Sequence, residues 1–149
     1  MSVCRQPSLG ERGSTLAEFA LALTASITMI VGIVDFGRCL YTNHFVSNAA
    51  RLATRYASVR GSSCTAAGCP ATAASIQTYV RGLAPELNQN SITVTTQWNT
   101  APGCGDVAHK GAGCYVQVSV SYPFKFAGVP LLPSFTMTMQ STSTMIISQ

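Results

Sequence analysis

The sequence predicts an α+β protein with a long N-terminal helix, a second short helix and about three antiparallel strands. Three observations carry this prediction: an uncharged apolar run from Phe19 to Val34, helical apolar spacing that continues to about Arg60, and three later segments that alternate apolar and polar residues. Apolar residues make up 47% of the chain and charged residues only 9%. This balance favours a protein in contact with a membrane or with like subunits.

The apolar run is the candidate membrane segment. Its apolar residues occupy every face of a helix, as expected where lipid or protein surrounds the helix on all sides. Counted from Ser14 to Val34, it measures about 31 Å as a helix, close to the thickness of a bilayer core. We therefore expect residues 14–35 to cross a membrane, with Ser14 or Thr15 capping the start of the helix.

The helix is predicted to continue as an amphipathic segment over residues 36–60, with Gly61 as its stop. Asp35 and Arg38 are three residues apart, so they can pair across one turn, and a solvated pair is favoured over a contact with a specific partner. Glycine weakens a helix, and a kink or a locally melted turn is a hypothesis for the stretch between Gly32 and Arg38. The apolar side of the amphipathic segment comprises Phe36, Leu40, Phe45, Val46, Ala49, Ala50, Ala53, Tyr56 and Val59.

Residues 61–149 are predicted to form a separate head domain. After a loop, a short amphipathic helix is expected from Ala71 or Ala73 to Leu83, because Pro70 precedes this segment and Pro85 ends it. Four of its apolar residues share one face: Ile76, Tyr79, Val80 and Leu83.

Three alternating segments predict an antiparallel sheet in the head. They are Ser91–Trp98, Cys114–Tyr122 and Ser134–Gln149, and Pro123 is expected to close the second. The apolar bend Phe124–Pro133 has two interpretations: it contacts the membrane surface or a neighbouring subunit, or it is an ordinary loop packed on the core.

The cysteines predict disulfides outside the cytoplasm. One of the six, Cys4, precedes the apolar run and Cys39 follows it closely, which leaves four in the head. An even number in loops rich in glycine, proline and alanine is typical of a disulfide framework. We favour the sequence-near pairs, while crossed pairs stay open; the candidates are Cys64 with Cys69 and Cys104 with Cys114.

Glu18 requires an explanation, because a charge inside a membrane helix costs a few kcal/mol unless it reaches the interface or finds a partner. In one interpretation it marks the interfacial edge of an ordinary signal anchor. In the other interpretation, Glu18 belongs to a motif formed with the residues before it. These are a basic leader over residues 1–13, with Arg5 and Arg12, and the pair of small residues Gly13-Ser14. The positive-inside rule predicts that the leader stays in the cytoplasm.

This arrangement resembles the cleavage site of type IV prepilins, and the chain is similar to the TadE-like pseudopilins of tight-adherence (Flp-type) pilus systems. The resemblance runs from Gly13 to about Arg60. Its most specific parts are Glu18-Phe19-Ala20, Asp35-Phe36-Gly37-Arg38, Asn48-Ala49-Ala50-Arg51 and Arg55-Tyr56.

The resemblance implies a pilin-like fold and a set of functional residues. A prepilin peptidase would remove the leader between Gly13 and Ser14, and Glu18, followed by Phe19, would pair with the free amino terminus of a neighbouring subunit. Such a pair makes a carboxylate tolerable in a dry environment. The implied partners are the peptidase, a second pseudopilin, the major Flp pilin and the lipid of the bacterial inner membrane.

The resemblance also implies a function: a minor pilin that takes part in initiation or capping of a pilus used in cell adhesion. The alternative is a membrane-anchored periplasmic adhesive or ligand-binding domain that never enters a filament. A conventional secretory signal is disfavoured, since no small-x-small cleavage site follows Val34 and the helix should stay attached.

Other functional classes have little support in the sequence. The net charge of +4 is mild and scattered, which does not favour nucleic acid. The loop with Cys104, Asp106, His109 and Cys114 holds metal-ligand types, but its spacing is irregular and a disulfide is the better use of its cysteines. No nucleophile motif or phosphate loop occurs. We expect no metal, no cofactor and no enzymatic activity, with a metal-dependent enzyme using this loop as the remote third possibility.

Overall fold

The computed structural model describes residues 11–99, 104, 110–127 and 135–148, with side chains described from Ser14 onward. In chain order the elements are helix α1 (Glu11–Ser58), helix α2 (Ala73–Gly82), a single 3₁₀ turn (Gln89–Ser91) and strands β1 (Thr93–Trp98), β2 (Tyr115–Lys125) and β3 (Thr136–Ile146). The predicted α+β layout of one long helix, one short helix and a three-stranded antiparallel sheet is confirmed.

Helix α1 begins earlier than the sequence indicated. It starts at Glu11, so the expectation that Ser14 or Thr15 caps the helix is wrong. Nothing in the preceding turn forces the backbone out of the helix, because a glycine such as Gly13 costs only about 1 kcal/mol there. The helix is also unbroken through Gly32 and Gly37, which rules out the melted turn suggested for this stretch.

The far end of α1 is close to the predicted stop. The helix ends at Ser58, and the amide of Arg60 donates to the carbonyl oxygen of Ala57 at 3.1 Å, in a final tightened turn. Gly61 follows this turn and is buried.

The second half of α1 packs on the sheet through small side chains. Ala49, Ala50, Ala53 and Ala57 are all buried, together with Val46. Side chains this small bring the helix axis close to the strands, and the apolar side predicted for residues 36–60 therefore faces the core over its central part. Phe36 and Leu40 on the same predicted side stay exposed, because the buried residues of this stretch, Asp35 and Thr42, lie on a different face of the helix.

The sheet has the order β1-β2-β3, with β2 in the centre and both pairings antiparallel. Valines 116, 118 and 120 of β2 are fully buried on the face of the sheet that packs against α1, as their alternation predicted. The centre of the opposite face is polar and uncharged: the Ser119 hydroxyl accepts hydrogen bonds from Gln140 at 2.9 Å and from Thr142 at 3.1 Å.

Strand β2 is longer than predicted, since Pro123 lies inside it and pairs with Thr138 of β3. Strand β1 reaches only as far as the pair Thr93 and Ser121, so β2 is an edge strand on that side beyond this point. A proline is tolerated on such an edge because no donor is needed there. The strand can therefore extend to Lys125.

Strands β1 and β3 also differ from prediction at their ends. Ser91 belongs to the 3₁₀ turn, where the Asn88 side chain accepts a hydrogen bond from the amide of Asn90, and β1 starts at Thr93. The predicted apolar side of β3 is confirmed at Met139 and Ile147, both buried, while Phe135 and Met137 are exposed near its start.

Helix α2 is confirmed with nearly the predicted bounds. Its N-cap is Thr72, whose hydroxyl accepts from the amide of Ser75 while the Ser75 hydroxyl accepts from the amide of Thr72. Ile76 and Val80 are fully buried, whereas Leu83 is exposed because it follows the last helical residue.

Candidate assembly and membrane-anchoring surface

The first half of α1 carries a large apolar surface that the head does not cover. Leu16, Phe19, Leu21, Met29 and Ile30 are each exposed by more than 60%. Among the described residues one helix, Ser14–Ser58, is long and apolar enough to cross a membrane. Only 6% of its most apolar 18-residue stretch is buried by the rest of the protein. Its apolar half is therefore a candidate membrane anchor, and this half is exposed, in contrast to the second half, which packs in the core of the head.

The hydroxyl groups within the apolar half satisfy their own hydrogen bonds. Thr24 donates to the Leu21 carbonyl oxygen at 2.9 Å, Ser26 to that of Ala22 at 2.8 Å, and Thr28 to that of Thr24 at 2.8 Å. A hydroxyl bonded in this way leaves no donor unsatisfied in lipid, and its small size permits close approach of a second helix.

The predicted cleavage and pairing residues lie together at the start of this surface. Gly13 and Ser14 are both within α1, and Ser14 precedes Glu18 by one helical turn, so the two residues share a face. Ser14, Glu18 and Phe19 are exposed. The described part of this chain therefore leaves the Glu18 carboxylate accessible to an amino group from outside.

Asp35 joins the helix to the head at the end of the apolar run. One carboxylate oxygen accepts from the Arg38 guanidinium at 3.0 Å, and the other accepts from the backbone amide of Ala127 at 2.8 Å. Asp35 is only 7% exposed, so the expectation of a solvated pair is wrong for this residue. Arg38 also lies over the ring of Phe124, 5.6 Å from its centroid.

A groove of about 380 Å³ opens beside this junction. Two cations, Arg38 and Lys125, and one carboxylate, Glu86, line it together with Tyr41 and Tyr122. It lies where α1, the end of β2 and the segment after α2 meet, and is open rather than enclosed.

Disulfides join the cysteines of the head in sequence-near pairs. Cys64 is bonded to Cys69, and Cys104 to Cys114. The first closes the loop after α1, in which Gly68 has a φ of +87°, a conformation that suits glycine. Cys39 on α1 is a free thiol.

The metal-binding prediction concerned the loop between Cys104 and Cys114. Two of its candidate ligands, Asp106 and His109, lie outside the described residues.

Three contacts at the opposite end of the head were not expected from the sequence. The rings of Tyr56 and Tyr79 stack with centroids 4.5 Å apart and join α1 to α2, and Arg60 lies 3.9 Å from the centroid of Tyr56. The ammonium group of Lys110 lies 4.9 Å from the ring centre of Trp98. No local motif predicts the stack of Tyr56 on Tyr79 or the contact of Lys110 with Trp98, because the two residues of each pair lie far apart in the sequence, whereas Arg60 and Tyr56 are one helical turn apart.

The fold and the exposed helix define a class of protein: a small disulfide-containing α+β head carried on a helix that is apolar on all sides and suited to a membrane or to a bundle of like helices. Residues 13–55 match the family model described as TadE-like protein, which confirms the resemblance found in the sequence. The match begins at Gly13 and ends within α1, so the head lies outside it. It supports a protein associated with the tight-adherence pilus and suggests other pilus components as partners. Neither a curated protein nor a solved structure matches the chain.

Proposed function

We propose that this protein is a TadE-like minor pilin or pseudopilin that takes part in the initiation or tip assembly of a tight-adherence pilus. The observation that carries the proposal is the coincidence of the family match with the exposed apolar half of α1. In this proposal the protein is not an enzyme but the substrate of one, a prepilin peptidase that cuts between Gly13 and Ser14.

The proposed mechanism is the transfer of α1 from lipid to a bundle of similar helices. In the bacterial inner membrane α1 crosses once and the head lies outside, a compartment compatible with the two disulfides. During assembly the apolar half of α1 packs against other pseudopilins and the major Flp pilin, with Thr24, Thr28 and Gly32 permitting close contact. Glu18 then pairs with the amino terminus of a neighbour.

Intact-mass analysis of membrane-extracted protein tests the processing step. We expect the wild-type protein from cells with an active prepilin peptidase to begin at Ser14, and a Gly13→Val variant to retain residues 1–13 because a branched side chain replaces the small residue at the cut bond. Gly10→Val is the matched control and should be cleaved normally. A wild-type protein that keeps its leader in these cells would favour the alternative, a membrane-anchored adhesive or ligand-binding domain outside any filament.

A further inference from the structure

We propose that the head contacts the outer surface of the membrane through the end of its β2–β3 hairpin. The contact surface, here the hairpin end, consists of Lys125, Phe126, Ala127, Phe135 and Met137. The inference depends on α1 crossing the membrane, as in the proposed function, and adds a lipid-binding surface on the head.

Two contacts fix the direction of the hairpin relative to α1. The amide of Ser148 donates to the carbonyl oxygen of Ser58 at 3.0 Å, at the end of α1 away from the apolar run. Further along, the Thr54 hydroxyl donates to the carbonyl oxygen of Ser143 at 3.3 Å. Strand β3 therefore runs beside α1 in the same direction as the helix, and the start of β3 at Thr136, together with its partner Lys125 at the end of β2, lies toward the apolar half.

The Asp35 carboxylate fixes how far the hairpin reaches. Its hydrogen bond with the amide of Ala127, at 2.8 Å, places the end of β2 beside the residue that directly follows the apolar run Phe19–Val34. If that run fills the hydrocarbon core, Asp35 lies where the helix leaves it. The hairpin end must then lie at the same height, in the headgroup region.

The chemistry of the hairpin end suits this position. Phe135 is 64% and Met137 46% exposed, and the Phe126 ring lies 5.8 Å from the Phe135 ring. Lys125 is exposed beside them. Aromatic side chains favour the membrane interface, and a lysine can place its stem on apolar surface while its ammonium meets lipid phosphate.

The groove beside Asp35 adds a second basic side chain next to the hairpin end. Arg38 and Lys125 both line it, with Glu86 as the opposing charge. We infer that this whole surface contacts the headgroup layer of the membrane that α1 crosses. The hairpin end lies next to the membrane-spanning part of α1, so this layer reaches it and no other partner is needed.

Tryptophan fluorescence in vesicles with brominated phospholipid acyl chains tests the inference on the full-length protein. The single native tryptophan, Trp98, lies at the opposite end of the sheet, since its partner Val116 is about 30 Å along β2 from Lys125. It provides the unquenched baseline. Phe36→Trp, at an exposed site next to Asp35, reports the span itself.

We expect Phe135→Trp to raise the quenched fraction several-fold above wild type, close to the value for Phe36→Trp. Tyr115→Trp is the matched control, an exposed aromatic exchange at the far end of β2, and should leave the wild-type value unchanged.

Two results would overturn the inference. If Phe36→Trp is quenched and Phe135→Trp is not, the hairpin end does not reach the membrane, while the span and the proposed function stand. Should neither variant be quenched, α1 does not cross the membrane, and the inference is lost together with the membrane part of the proposed function.

Discussion

Asp35 connects helix α1 to the head at the end of the apolar run. Its buried carboxylate bonds both to Arg38 on its own helix and to the backbone of Ala127, so one side chain ties α1 to the β2–β3 hairpin. A carboxylate that accepts two hydrogen bonds, one of them from a cation, is stabilised in a buried position where an unpaired one would be costly.

Asp35→Ala should loosen the hairpin end without unfolding the head. A hydrogen bond to a charged group contributes roughly 1.5–3 kcal/mol, so we expect amide exchange at Phe126 and Ala127 to become about tenfold faster or more. Hydrogen exchange followed by mass spectrometry on the full-length protein in detergent measures this. Glu86→Ala, at an exposed carboxylate, is the matched control. Unchanged exchange in Asp35→Ala would show that the bond to Ala127 contributes little.

At the scale of elements, the head depends on how α2 is held between α1 and the sheet. Its apolar residues Ile76 and Val80 enter the core, Tyr79 stacks on Tyr56 of α1, and its start is set by the reciprocal hydrogen bonds of Thr72 and Ser75. A helix this short has little stability of its own, so the cap and the tertiary contacts both contribute to it.

Thr72→Ala should destabilise the head by about 1 kcal/mol, the usual effect of removing a threonine N-cap. Thr78→Ala is the matched control on the same helix: Thr78 is exposed and its hydroxyl donates to the Ala74 carbonyl oxygen, so its loss should be neutral or slightly stabilising. Urea unfolding of both variants in detergent, followed by Trp98 fluorescence, measures the difference. Equal midpoints for the two variants would contradict the role of the cap.

At the scale of the whole molecule, one helix serves two environments. The second half of α1 is part of the core of the head through its buried alanines, whereas the first half has no protein cover. Because the helix is continuous, the head must move with the apolar half when that half passes from lipid into a bundle of helices. Glu18 is the charged group in the apolar half for which this transfer would provide a partner.

Glu18→Ala should reduce pilus assembly while leaving membrane insertion intact. Removing one member of a buried ion pair leaves the other unpaired at a cost of about 3–5 kcal/mol, so we expect assembly to fall at least about tenfold. Co-purification with the major pilin from cells, alongside the amount of protein in the membrane fraction, measures both effects. Ile33→Leu, an uncharged exchange of similar volume on the same exposed surface, is the control. A Glu18→Ala protein that assembles normally would rule out the pairing role.

The sequence by itself determined the α+β class, the apolar helix and most of the strands, because periodicities of 3.6 and 2 residues are local properties of the chain. It also pointed to the TadE-like family through residues within one helix. The tertiary structure decided what depends on distant residues. It extended β2 past Pro123 where β1 no longer pairs with it, selected one cysteine pairing, and buried Asp35 against Ala127. Asp35 and Ala127 are 92 positions apart, and their contact forms only when the hairpin packs along α1, so no local pattern could reveal it.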